Sequence, residues 1–145
     1  MTSTTTHAPT DWHARARALS INGQAFIDGK YVAAASGATF DGELVRVAAM
    51  ANATPEGSAS VRQAFPRKPS NDNASARAVY LNRVVVIPDI MEDADYRVHT
   101  NALAGGFRSI LSVPLTRDGA PIGAITVGRP DPGPFSEREI ALLKT

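Results

Sequence analysis

Residues 106–143 read GFRSILSVPLTRDGAPIGAITVGRPDPGPFSEREIALL, from Gly106 to Leu143, and their pattern sets the fold class. Ser109, Leu111, Val113 and Leu115 fall on alternate positions, the period of a strand that shows one set of side chains to each face. Arg117-Asp118-Gly119 then supplies an Asp-Gly pair, whose tolerance of positive φ suits a hairpin turn. A second strand is predicted over residues 122–127. Pro134 and Phe135 lead into Ser136-Glu137-Arg138-Glu139, a capping box in which Ser136 and Glu139 satisfy each other's orphan amide donors. Phe135 before the cap and Ile140 inside the helix have the spacing of a hydrophobic staple.

Upstream, Val84 to Ile87 is a continuous β-branched run, the mark of a strand covered on both faces, and Pro88 stops it. Thr54-Pro55 pairs an N-cap with proline at the first helical position, starting a helix toward Phe65. A polar loop follows, and Asn73 caps a second helix through Leu81 with Ala74, Ala78 and Leu81 on one face. Before these, LVRVAAM alternates as a strand with Val45, Val47 and Ala49 on one side. Strands joined by hairpins, with helices between and after them, predict an α+β domain on a mainly antiparallel central sheet.

The phrases GGFRSILSVPL, GAPIGAITVGR and PFSEREIALL, with RAVYLNRVVVIPDIMEDADYR ahead of them, resemble the GAF domain of bacterial histidine kinases and nucleotide cyclases. They occur in the family's order, and the likeness runs from about Phe40 to Thr145. It implies a sensory module at 41–145 with an incomplete first strand and helix and a shortened last helix. The loop PSNDNASARA departs from the family: Ser70, Asp72 and Ala76 stand where glycines are usual.

The start of the chain reads differently. Residues 1–10 are a Thr-rich polar tail without periodicity, expected to be disordered. From Asp11 a short helical pattern places Trp12, Ala16 and Leu19 on one side. Two extended runs, AFI and YVAA, flank the turn Asp28-Gly29-Lys30, and Ser36-Gly37 signals a further turn. FIDGKYVAAASGATF resembles the N-terminus of aldehyde dehydrogenases acting on aminoaldehydes, so residues 11–40 read as a leader fused to the GAF-like part.

Composition narrows the chemistry. Fifteen basic and fourteen acidic residues leave +1, with no global pull toward nucleic acid or membrane. No apolar run reaches the length of a membrane span and no secretory signal opens the chain, so a cytoplasmic location is expected. The chain has no cysteine. That removes disulfides, thiolate metal sites, thioether-linked bilins and the thiolate an aldehyde dehydrogenase needs. His7, His13 and His99 are scattered, and Glu92-Asp93-Ala94-Asp95 lacks the glycine-centred loop of a calcium site. No nucleophile elbow or phosphate-binding glycine loop is present, so a non-catalytic chain without metal or cofactor is expected.

A small-molecule pocket remains. The resemblance places it between the sheet and its helix-loop cover, with Ile87, Asp89 and Tyr96 on the loop side and Phe107, Arg108, Ser109 and Thr126 from the sheet and its approach. Tyr96 and Phe107 are suited to stack on a planar ligand and Arg108 to pair with an anion. The reading favoured here is plainer: both rings fill the core and Arg108 braces the loop. The cyclic-nucleotide subgroup of the family carries an Asn-Lys pair, then a Phe and an Asp-Glu pair. Gly128-Arg129, Phe135 and Arg138-Glu139 occupy those places, so cyclic-nucleotide binding is not expected, and an Arg129–Glu139 bridge would tie strand to helix. A homodimer through the terminal helices, with Phe135, Ile140 and Leu143 as their apolar positions, is the other partner considered. A non-catalytic remnant of an aldehyde dehydrogenase lineage is the alternative reading of the whole.

Overall fold

The computed structural model describes Phe26–Ile27, Lys30–Tyr31 and residues 34–144, with side chains from Ser36 onward. The Thr-rich tail, the helical pattern from Asp11, and Asp28 and Gly29 of the first turn lie outside the described residues. In chain order the elements are β1 (Phe26–Ile27), β2 (Lys30–Tyr31), β3 (Ala34–Phe40), β4 (Val45–Ala51), α1 (Pro55–Gln63), α2 (Ala74–Leu81), β5 (Val85–Ile87), α3 (His99–Ala104), β6 (Ser109–Arg117), β7 (Ala120–Arg129) and α4 (Glu137–Lys144). β1 and β2 pair as a separate antiparallel hairpin. The other five strands form one antiparallel sheet in the order β4-β3-β7-β6-β5.

The β6–β7 hairpin is the centre of this sheet. Asp118 and Gly119 take φ of 52° and 80°, the two positive values of a type I′ turn between Arg117 and Ala120. Both strands run on to the turn because it occupies only two residues, and β7 continues to Arg129, which pairs with Ser109. Period-2 alternation then sorts side chains to two cores. Ile110 and Ala124 join Val85, Ile87, Ala38 and Val45 beneath α1, α2 and α3. Leu111, Val113 and Val127 meet Phe135, with Ile140 and Leu143 of α4 packed against them. The sheet is covered on both sides, as the unbroken valine run of β5 demands.

Two strand expectations need correction. Ser36-Gly37 is no turn: both residues lie inside β3, paired to β4 and β7. β3, which lies within the residues read as leader, ends at Phe40 and pairs with β4 and β7. In β4, Gly37 opposes Ala49 while Ala38 opposes Val47, so Ala48 is an extra residue. This bulge switches the inward face, and Met50 packs on the core instead of Ala49 continuing from Val45.

The helix ends follow their caps. Thr54 accepts from the Gly57 N–H and Asn73 from the Ala76 N–H. Ser136 and Glu139 form the reciprocal box, with the Ser136 N–H donating at 2.7 Å and the Glu139 N–H at 3.2 Å. On α2 the buried residues are Ala74, Ser75, Ala76, Ala78 and Val79, while Leu81 is half-buried. Among the described residues no helix is long and apolar enough to cross a membrane.

Candidate functional site

A cavity of about 30 Å³, room for one or two waters, lies between the sheet and its three-helix cover. Its floor is Ser36 of β3, Ile110 of β6 and Thr126 of β7, and its helical rim carries Asn73, Ser75 and Asn101. Val61, Phe65, Tyr96, Ala102 and Phe107 close the apolar wall. These residues meet for local reasons. Asn73 is held at the mouth because its side-chain oxygen caps α2. Ser36 sits directly opposite Thr126 in the β3–β7 register, and Ser112 opposite Thr126 on the other side.

The polar floor is hydrogen-bonded. Thr126 Oγ1 lies 2.8 Å from Ser75 Oγ and 2.7 Å from Ser112 Oγ, linking α2, β7 and β6 through three buried hydroxyls. Asn101 donates its amide to the Ser60 carbonyl at 2.7 Å, fixing α3 against α1.

Of the seven residues named from the sequence, Tyr96, Phe107 and Thr126 line this cavity. Ile87 is fully buried in the same core but does not reach it. Ser109 is also fully buried, on the α4 side of β6, because Ile110 takes the cavity-facing position. Its hydroxyl has no hydrogen-bond partner among the described residues. Arg108 and Asp89 bind each other through two contacts of 2.7 and 2.8 Å, outside the cavity. The Arg108 hydrogen bonds hold the Asp89 carboxyl below the usual carboxylate range, helped by the Met91 N–H.

A second charge pair governs the same loop. Arg77 grips Asp93 with two bonds of 2.8 Å and also donates to the Asn71 carbonyl, so one side chain ties the loop before α2 to the loop between β5 and α3. Hydrogen bonds from Arg77 lower the Asp93 pKa against the opposing cost of burial. Asp93 Oδ1 also accepts from the Asp95 and Tyr96 N–H groups, forming the turn that delivers Tyr96 inward. Burial pushes the Tyr96 phenol far above its usual range. In the drifted loop, Asp72 pairs with Arg67 at 2.6 Å and bonds Ser70.

Ser36, Phe65, Asn73, Ser75 and Asn101 are cavity residues that sequence reasoning missed. A signal for two neighbours was present: Ser112 and Thr126 are hydroxyls inside strands buried on both faces, where an unpartnered polar group is costly. Among the described residues no group of three His, Cys, Asp or Glu side chains is placed to hold a metal ion.

The sequence profile of the GAF domain matches residues 25–145. The chain belongs to the GAF domain family. Its fold matches the GAF domain/HD domain protein of Geobacter sulfurreducens with a TM-score of 0.62 at 19% identity, over 78% of this chain and 73% of that one. Free methionine-R-sulfoxide reductase from Neisseria meningitidis, solved in complex with its substrate, gives 0.60 at 19% over 78% and 61%. The GAF domain of a phosphoenolpyruvate-protein phosphotransferase from Coxiella burnetii gives 0.62 at 13% over 76% and 64%. No curated protein matches in sequence. At the α4 side of this GAF domain, Arg129 lies 3.8 Å from Glu139, donates to the Pro134 carbonyl at 2.7 Å and stacks 4.0 Å over Phe135. These contacts brace the strand against the helix.

Proposed function

We propose that this GAF domain is a non-catalytic sensing module that holds a small molecule between its sheet and the α1–α3 cover and signals to an effector of the kinase or cyclase type. The observation that supports this most is the polar part of the cavity wall: Ser36, Asn73, Ser75, Asn101 and Thr126 converge on one space between sheet and cover. A substrate-bound reductase of the same fold adds support for small-molecule binding by such a scaffold. Reductase chemistry is not carried over, because the chain has no cysteine to take up a sulfoxide oxygen. The same lack speaks against aldehyde oxidation by the segment that resembles a dehydrogenase.

The test is a metabolite panel followed by thermal shift and by backbone NMR. A saturable rise in melting temperature, with shifts centred on Ser75, Ile110 and Thr126 and lost in Thr126→Val, is expected. No response anywhere around Thr126 would overturn the reading.

A different surface supports a second reading, an interaction module. Leu142 of α4 and Leu115 of β6 stay exposed at 47% and 39% beside the smaller core.

A further inference from the structure

We propose that the occupant of the cavity is an uncharged molecule with a flat apolar body and one neutral hydrogen-bonding end, a primary amide being the type. This deepens the sensing reading and rests on it. The lining contains no Lys, Arg, His, Asp or Glu. Three arginines near the cover are paired with carboxylates, while the His99 ring stands edge-on to Tyr96 at 5.5 Å and Arg67 keeps a buried Nε without a partner among the described residues, both outside the lining. Arg67 pairs with Asp72, Arg77 with Asp93 and Arg108 with Asp89, all outside the lining. A charged ligand would lose its water and meet no counter-ion, which is the most expensive form of burial.

The polar groups that do line the cavity suit a neutral partner. Asn73 spends its oxygen on the Ala76 N–H, which leaves the amide NH₂ to donate. Ser75 and Thr126 line the cavity, with Ser112 outside the lining, and these three hydroxyls share two bonds, so one O–H of the chain is left over. Hydroxyls and amides both donate and accept, and an amide headgroup does the same. Across from them Phe65, Tyr96 and Phe107 offer ring surface to a planar body. The present volume admits only water, so the occupant enters by displacing a side chain.

Benzamide, benzoate and benzylammonium share one shape and differ in charge, and they serve as probes of the full chain. NMR titration of the Ser75, Ile110 and Thr126 amides is expected to show benzamide binding at least about tenfold tighter than either ion. Thr126→Val, nearly isosteric, should weaken benzamide at least about fivefold with an unchanged circular dichroism spectrum. Ser75→Ala supplies the same comparison if the valine variant does not fold. Tighter binding of benzoate or benzylammonium, or of a charged metabolite at these same amides, would overturn the neutral class and leave the sensing role standing. Silence of these amides toward all three probes and toward the metabolite panel would overturn both.

Discussion

At the scale of single residues, Phe107 and Gly128 form one packing unit. A Cβ built on Gly128 would lie 1.7 Å from Phe107 Cδ1, so the ring rests where any other residue would put its side chain. Phe107→Ala should cost about 3–5 kcal/mol in urea unfolding, as truncation of a buried Phe does. Gly128→Ala should cost about 1–3 kcal/mol through overpacking. It should cost clearly less in the Phe107→Ala background, because the clash is gone; equal costs in both would refute the coupling. Asp93 gives the acid response. Its pKa is lowered in the folded chain, so the unfolded chain takes up the proton first. The stabilisation is complete above the ordinary carboxylate pKa, near 4, and is lost as pH falls through the folded value. Asp93→Asn should lower stability at pH 7 by on the order of 2 kcal/mol and flatten the fall in melting temperature below about pH 4. An unchanged acid slope would show that the Arg77 pair is not its source.

At the scale of elements, α4 depends on its ends. Eight residues make a helix that is marginal without packing. Ser136→Ala removes the acceptor for the Glu139 N–H and should cost about 1 kcal/mol, read as a lower melting temperature with little change in the sheet signal. This box was legible in the sequence because it is local: Ser136, Glu139, Phe135 and Ile140 lie within six positions. The Asp118-Gly119 turn and the caps Thr54 and Asn73 were legible for the same reason. The bulge at Ala48 was not, since an extra residue shows only against the partner strand. Ser36-Gly37 misled because two turn-forming residues sit in the middle of β3, where Thr126 on β7 and Met50 on β4 hold them extended. The cavity was legible in part. Tyr96, Phe107 and Thr126 belong to segments with a family likeness, whereas Ser36, Asn101 and Phe65 reach it only through the packing of β3, α3 and α1. That Arg108 braces the loop was the reading favoured from the sequence, but its pairing with Asp89, 19 positions away, shows only in the fold.

At the scale of the whole molecule, the two faces of the sheet are unequally dressed. α1, α2 and α3 cover one face, while α4 alone among the described helices packs on the other. Exposed Leu142 and Leu115 on that side should produce concentration-dependent self-association. Sedimentation velocity should show it, and Leu142→Glu should shift the population toward monomer without lowering the melting temperature by more than a degree or two; a chain that stays monomeric at high concentration would refute it. The first hairpin bears on the same side, for β1 is in contact with α4. The first strand and the last helix of the described chain therefore meet in space, and the domain closes on itself like a ring with one clasp. A ring can be opened elsewhere. A circular permutant that starts at Gly119, runs through Lys144 and a short linker into Phe26, and ends at Asp118 should reach the same native spectrum. It turns the pairing of β6 with β7 from a local contact into a distant one, so it should refold more slowly than the parent. Equal refolding rates would mean that the β6–β7 turn does not organise the early chain.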